Sequence, residues 1–367
     1  MNDGQAKRKR TASGRRRPTQ ADVAARAEVS AAIVSAVVNS REHGTIRISD
    51  RTRERVWDAV RELGYVPNIA ARNLASGRNR LLGVFTFQSA FPLESRDFYY
   101  EFLVGIEEAA EEAGYNLLMF TGTKTPSGAR SIYPDGINCL QLADGAVLVG
   151  VDESREEITR LADEGYPFVF VGQRDIPGVD LSYTAADYVG GTANIVRELV
   201  RQGHRRIALI QNAQAHEPIA GRRAGFRLAR EELGLTPEQA PILTIGESAR
   251  PGKDELTDLT TLLDIIRTRR LTALVIELST DAPRIRAAAR RAGITVPDRL
   301  SLVALGGSPE QPGMATIAEM HIPRREMGRE AVRLLLQLLD DPTAAPVHTT
   351  LECNLRAGRT LTAAHSD

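Results

Sequence analysis

Beyond residue 80 the chain alternates short apolar runs with longer amphipathic segments. Runs at 81–87, 115–120, 146–149, 168–171, 207–210, 242–245, 273–276 and 302–305 predict strands. Between them, 98–113, 156–164, 185–202, 221–233 and 256–269 place apolar residues every three or four positions, which predicts helices. Strands alternating with helices form parallel sheets with helices on both faces, and runs that are apolar throughout suit strands covered on both sides. Eight such units are many for one open sheet, so two lobes are expected. A TIM barrel is the structural rival, and the uneven spacing weighs against it.

Residues 18–67 follow a different rhythm. Thr19 and Asp22 form a capping box ahead of Val23, Ala24 and Ala27. Glu28-Val29-Ser30 then interrupts, and Ser30 is placed to cap a second helix through Val34, Val37 and Val38. A third helix starts near Ser49 or Asp50, turns Val56, Ala59, Val60 and Leu63 to one side, and ends at Gly64. Trp57, the only tryptophan, is expected against this small core. Helices this short are unstable alone. The small Ala24 and the intervening Val29 suit a close crossing, the geometry of a helix-turn-helix whose second helix enters the major groove. A generic three-helix bundle fits the same pattern.

Composition narrows the classes. The 367 residues are 42% hydrophobic and 26% charged, which excludes a fibrous or wholly disordered chain. No apolar run approaches the roughly 20 residues that span a bilayer, and the basic N-terminus lacks the apolar stretch of a secretory signal. A cytoplasmic location without a membrane partner is expected. Cys139 and Cys353 lie far apart and the six histidines never fall at ligand spacing, so neither a metal nor another cofactor is expected. With no P-loop, GxSxG motif or Cys/His pair, neither is an enzyme.

The zero net charge conceals an asymmetry. Residues 1–80 carry 17 Lys and Arg against 8 Asp and Glu, leaving 30 against 39 for the remainder. A basic head on an acidic body points to a polyanion at one end. The clusters Lys7-Arg8-Lys9-Arg10 and Arg15-Arg16-Arg17 suit a disordered tail over 1–17, either merely solvated or touching nucleic acid.

Further motifs decide between the readings of the head. Asp22-Val23-Ala24, Val29-Ser30, Val34-Ser35, Val37-Val38-Asn39, Thr52-Arg53, Gly64-Tyr65-Val66-Pro67-Asn68 and Leu74-Ala75 occur in order. This run resembles the LacI/GalR (lac repressor) family of transcription regulators. The resemblance implies a hinge helix over 68–76 that orders on operator DNA, with Asn68 as its cap and Leu74 as a wedge between base steps in the minor groove. It implies DNA-facing positions at Thr19, Ser30, Ala31, Ala32, Ser35, Ala36 and Asn39 in the head and at Asn68, Ala71 and Leu74 in the hinge. Three departures matter. Glu28 stands where the family commonly has glycine, which brings a steric cost in a left-handed turn. Extra residues lengthen the loop at 40–48. Ala31, Ala32 and Ala36 replace polar readers, leaving methyl contacts to thymine. An arm of Arg15, Arg16 and Arg17 in an adjacent minor groove could supply the missing reading.

The body continues the resemblance through Leu82-Gly83-Val84, Gly105-Ile106-Glu107-Glu108-Ala109-Ala110, Asp144-Gly145, Gly190-Gly191, Gly203-His204-Arg205-Arg206-Ile207, Gly225-Phe226-Arg227 and Glu326-Met327-Gly328-Arg329. The implied fold is α/β: a helix-turn-helix head (18–67), a hinge and linker (68–80), then a two-lobed core similar to periplasmic sugar-binding proteins. The N-terminal lobe is expected at 81–183 with 321–345, the C-terminal lobe at 184–320 with 346–361, and a tail at 362–367. Ligand would enter between lobes, beyond the carboxyl ends of the strands. Arg222, three before Gly225, matches the family arginine that grips ligand. Where the family often offers Asn-Asp and a further aspartate, this chain has Glu277-Leu278-Ser279 and Gly306-Gly307-Ser308; Arg174 follows the strand at 168–171.

The expected effector residues are therefore Arg222, Arg174, Glu277 and Gly306. A sugar is the family's usual effector, but the lost carboxylates open the site to an anionic or other polar ligand, or to none. The partners implied are double-stranded operator DNA, a small-molecule effector and a second copy of the chain. A solute-binding protein would need an export signal and no basic head, and an enzyme would need a clustered acid, base or nucleophile. His204 is expected to satisfy carbonyls, and His321 either lines the cleft or packs in a linker.

Overall fold

The computed structural model describes residues 18–38, 48–66, 79–87, 96–121, 130–150, 154–211, 217–245, 255–306 and 316–364. The chain divides into two units, Met1–Asn79 and Arg80–Asp367.

In the first unit, α1 (Gln20–Ala27) opens on the expected capping box. Asp22 N donates to Thr19 Oγ1 at 3.3 Å, and Thr19 N donates back to the Asp22 carboxylate at 2.7 Å. Glu28 ends the helix with φ 54° and ψ 46°, so the left-handed turn predicted to cost a non-glycine residue is present. Ser30 Oγ then accepts from Ile33 N at 3.3 Å and starts α2 (Ala31–Val38). Ser49 does the same for α3 (Asp50–Leu63), which Gly64 closes at φ 65°. Val23, Ala24, Ala27, Val34, Val37, Val56, Ala59 and Val60 form the core, with Val29 and Trp57 packed partly buried against it. The basic tail with Arg15, Arg16 and Arg17, the loop with Asn39, and the hinge with Asn68, Ala71 and Leu74 lie outside the described residues.

The second unit holds two six-stranded sheets. Sheet one contains β1 (Leu81–Thr86), β2 (Asn116–Met119), β3 (Gly145–Val149), β4 (Phe168–Val171), β5 (Tyr183–Asp187) and β11 (His348–Glu352), in the order β11-β5-β4-β3-β1-β2, all parallel. Sheet two contains β6 (Ile207–Gln211), β7 (Ile242–Thr244), β8 (Ala273–Ile276), β9 (Ser301–Ala304), β10 (Ala318–His321) and β12 (Asn354–Arg356), in the order β12-β10-β9-β8-β6-β7, with only β12 antiparallel. The helices are α4 (Arg96–Glu112), α5 (Arg155–Asp163), α6 (Tyr188–Arg201), α7 (Glu217–Glu232), α8 (Glu255–Thr268), α9 (Asp281–Arg291) and α10 (Arg324–Asp340). Residues such as Val147, Val169, Leu209 and Val275 fill one face of the sheets, and Phe85, Leu148, Ile210 and Leu274 the other, as two-sided burial requires.

The lobe crossings fall later than the resemblance implied. Residues 185–187, expected to open a helix, belong to β5; Asp187 then caps α6 through Gly190 N at 2.8 Å. The first crossing is therefore at 187–188 rather than near 183. β11 remains in sheet one to Glu352, which moves the last crossing from about 345 to Cys353. Because β5 passes from its carboxyl end straight into α6, and β10 passes from its carboxyl end into α10 against sheet one, the carboxyl edge of each sheet is turned toward the other lobe. The closest helix pair is α4 with α10. A Cβ on Gly105 would lie 1.9 Å from the Arg325 carbonyl oxygen, and one on Gly328 2.3 Å from that of Phe102, so only glycines permit this approach.

Candidate DNA-reading surface and effector site

On the head, Ser30, Ala31 and Ala32 are exposed, while Thr19, Ser35 and Ala36 are half-buried. The Thr19 hydroxyl is engaged by its own capping box, donating to Asp22 at 2.7 Å, so Thr19 supplies helix start rather than an open donor. The exposed surface of α2 is thus methyl groups beside one serine. The charge lies elsewhere. Residues 18–66 contain seven basic and seven acidic residues, whereas residues 1–17 contain seven basic and one acidic. The head over 18–66 is charge-balanced, and the excess cations of the first 80 residues lie in the sequence flanking it.

In the core, Arg222 projects from the second turn of α7 and is only 8% exposed. Its guanidinium lies 5.1 Å from the Tyr188 ring centroid, and Nη1 reaches the Glu277 carbonyl oxygen at 3.5 Å. Its Nε has no partner among the described residues. Burial pushes this group down from the usual arginine range; the Tyr188 hydroxyl opposes that shift and the nearby cation of Arg324 adds to it. Ser279 and Gly306 complete the surroundings. Ser279 Oγ donates to the Gly306 carbonyl at 2.6 Å, and a Cβ on Gly306 would sit 3.3 Å from Arg222 Nη2.

Two of the expected effector residues are placed differently. Glu277 is buried and both carboxylate oxygens are engaged at 3.0 Å by Nε and Nη2 of Arg223, so it makes no salt bridge to Arg222, although its charge still favours the Arg222 cation at longer range. Of these neighbouring arginines on α7, Arg223 takes the Glu277 carboxylate, while Arg222 reaches only the Glu277 carbonyl. Arg174 stands on sheet one. Its guanidinium stacks 4.2 Å over Phe170 and donates to the carbonyls of Gln173 and Gly150. Arg222 and Gly306 are brought together on sheet two; Arg174 lies at the carboxyl edge of sheet one, held by Phe170 and the Gln173 and Gly150 carbonyls.

Sequence reading missed Tyr188, Ser279 as a neighbour of Arg222, and Arg130, whose Nη1 donates to Thr86 Oγ1 at 2.6 Å at the carboxyl end of β1. Tyr188 was hidden because β5 was read as helix. Arg130 sits in no periodic segment and gave no signal.

The other titratable candidates are structural. His204 is buried between Thr272 Oγ1 and the Thr362 carbonyl, both at 2.9 Å, as expected. His321 Nδ1 accepts from Arg356 across β10 and β12 at 2.9 Å, a sheet contact. Burial pushes the Cys139 thiol up to about 11 and that of Cys353 up to about 12, so neither is a nucleophile at neutral pH. Among the described residues no cluster of His, Cys, Asp or Glu could hold a metal, and no helix is long and apolar enough to cross a membrane.

Comparisons with known proteins agree with this division. Residues 19–68 match the family described as bacterial regulatory proteins, lacI family. Residues 90–260 match the periplasmic binding proteins and sugar binding domain of LacI family, and 196–361 a periplasmic binding protein-like domain. The transcriptional regulator CelR of Thermobifida fusca is 30% identical over 356 residues, spanning 93% of this chain and 97% of its own. The chain belongs to the LacI family. It is a DNA-binding transcription regulator with an effector-binding domain, and its α/β fold is the one foreseen. A solved CelR–cellobiose complex shares 25% identity and a TM-score of 0.57 over 94% of this chain and all of that one. The lac repressor dimer bound to operator and the anti-inducer ONPF, at 22% identity, shares the fold with a TM-score of 0.71 over 95% and 100% of the two chains.

Proposed function

We propose that this LacI-family protein is a non-enzymatic, homodimeric repressor whose core senses a small ligand bearing an anionic group, held by Arg222. The observation that carries this is the state of that arginine: buried, one donor unpartnered, and with no carboxylate at salt-bridge distance among the described residues. The nearest acid, Glu277, is engaged by Arg223. A buried cation with no directly paired carboxylate, stabilised only at longer range by Glu277, is costly, and a ligand carboxylate or phosphate reduces that cost while using the guanidinium fork. Ser279 and the Gly306 backbone would orient the remaining polar atoms.

On the DNA side, two heads would address the half-sites of a near-palindromic operator, with paired hinges at 68–76 inserting Leu74. The cellobiose complex of the CelR relative makes a neutral sugar the competing ligand. Thermal-shift titration of the full chain with sugar acids and with the matching neutral sugars separates the two. Stabilisation by the acids, with parallel release of operator, is the expected result; tight binding of a neutral sugar with no response to the acids overturns it.

A further inference from the structure

The carboxyl edge of sheet two holds Arg222, but the opposite edge of the same sheet carries far more positive charge. Strands β6, β8, β9 and β10 run parallel, so the segments entering them share one pole of the lobe. Those entering β6, β8 and β9 bring Arg205, Arg206, Arg269, Arg270 and Arg299, and the last turn of α8 adds Arg267; all six are exposed. The acids nearest the groove are Asp264 and Asp298, with Glu238 farther along; Glu198 and Glu232, at the helix ends that lead into β6 and β7, are paired with Arg201 and Arg197. This excess occurs in a body whose net charge is strongly negative. Between these segments lies a groove of about 950 Å3, lined by Arg267, Arg270, Arg299, Asp298, Thr272 and the backbone at Gly293. That is the size of a small-molecule site.

Helix-end chemistry explains part of the cluster. Arg267 Nη2 donates to the Ala292 carbonyl at the end of α9 at 2.8 Å, with Asp264 3.6 Å away, and Arg206 Nη1 donates to the Arg269 carbonyl at 2.9 Å. These contacts fix guanidinium groups without neutralising Arg206. Arg270 and Arg299 have neither an ion pair nor a side-chain hydrogen bond among the described residues; the φ of 48° at Arg270 belongs to the left-handed cap of α8, where Leu271 N donates to the Ile266 carbonyl at 2.9 Å. Capping accounts for the Arg270 backbone and for neither guanidinium group.

We propose that this groove binds a phosphorylated small molecule, a polyphosphate or phosphate ester, at a site separate from that of Arg222. Guanidinium forks donate to phosphate oxygens in bidentate fashion, and Arg270 and Arg299 flank a cavity of suitable volume with Arg267 already oriented on its wall. The ligand would reach it without passing between the lobes.

The test is calorimetric titration of the full chain with tripolyphosphate at fixed ionic strength, with sulfate as a control for bulk anion. The basic tail also attracts polyanions, so two variants are compared: Arg270→Gln/Arg299→Gln, and Arg15→Gln/Arg16→Gln/Arg17→Gln. One saturable site per chain is expected, unchanged in the tail variant and at least tenfold weaker in the pole variant. Protection of Arg270 and Arg299 from phenylglyoxal by tripolyphosphate in the unmodified protein gives a readout that needs no variant. Equal affinity in the pole variant, a signal that follows the tail, or no protection of these two arginines overturns the proposal.

Discussion

Replacing Arg222 by methionine separates its two roles, because they act in opposite directions. In the free protein the guanidinium is 8% exposed, lacks a partner for Nε among the described residues, and has one long carbonyl contact at 3.5 Å plus a ring at 5.1 Å. Leaving a charged donor buried and unsatisfied costs about 1–3 kcal/mol, and replacing a buried ion by an apolar chain of similar shape often stabilises by about 1–4 kcal/mol. The weak ring and carbonyl contacts offset part of this, leaving a net gain of roughly 1–2 kcal/mol. For a body of 288 residues, Arg80–Asp367, that raises Tm by about 2–3 °C. Ligand affinity moves the other way, since losing a buried charge-assisted contact costs about 2–5 kcal/mol, or at least thirtyfold in Kd. The assays are a calorimetric melt of the free variant and an operator-release titration with the sugar acid that stabilises the unmodified protein. A variant melting lower than its parent while still releasing operator at the original ligand concentration would refute the reasoning, because Arg222 would then be a structural brace.

Removing residues 1–17 deletes seven cations and one carboxylate from each head while the structured part stays charge-balanced. If every tail cation meets a phosphate, the slope of log affinity against log salt should flatten by up to about 6 per head, read by anisotropy on duplex DNA; an unchanged slope removes the tail from the interface, and unchanged selectivity at matched salt removes its reading role. Gly328→Ala forces a Cβ to within 2.3 Å of the Phe102 carbonyl and should destabilise by about 1–3 kcal/mol in urea unfolding. A midpoint unchanged from the parent's would show that α4 and α10 can separate freely. Burial lowers the folded-state pKa of His204, partly offset by the Thr362 carbonyl. The unfolded chain then binds more protons below the ordinary histidine range, so stability is full above about pH 6.5 and falls as pH drops through that value. His204→Gln should shrink the difference between urea midpoints at pH 7.5 and 5.5, and an undiminished difference would assign it to other groups.

The apolar strands were legible because parallel strands buried on both faces are continuous hydrophobic runs, as in Phe168–Val171 and Ala273–Ile276. Tyr183–Asp187, Ala318–His321, His348–Glu352 and Asn354–Arg356 were not, for the complementary reason. Each lies at or near a sheet edge or a crossing, mixes polar with apolar residues, and is fixed by pairing with a partner distant in sequence, such as His348 beside Tyr183. Missing them displaced the lobe crossings by several residues and hid Tyr188. At the site, helix register alone could not say which of Arg222 and Arg223 turns inward. That is decided by Glu277, whose bidentate pair holds Arg223 aside, a contact spanning 54 residues. The head was readable in detail because its information is local: capping boxes and turn residues act within four positions.

The placement of Arg222 also bears on how ligand and DNA could communicate. Tyr188, beneath its guanidinium, is the first residue after the crossing from β5. Three positions on, Gly191 lies so near the other crossings that a Cβ there would be 2.5 Å from Cys353 Cβ and 3.0 Å from Met320 Sδ. The beginning of α6 is therefore in contact with segments adjoining all three crossings. A ligand that neutralises Arg222 changes the field over that junction, so its affinity must depend on the relative setting of the lobes if the crossings adjust. Linkage then requires reciprocity: whatever factor the ligand takes from operator affinity, operator takes from ligand affinity. Arg222→Met removes the charge through which the ligand acts, so its operator affinity should be indifferent to the sugar acid even at concentrations that force binding. A variant that still released DNA at such concentrations would place the coupling in the Ser279–Gly306 backbone instead.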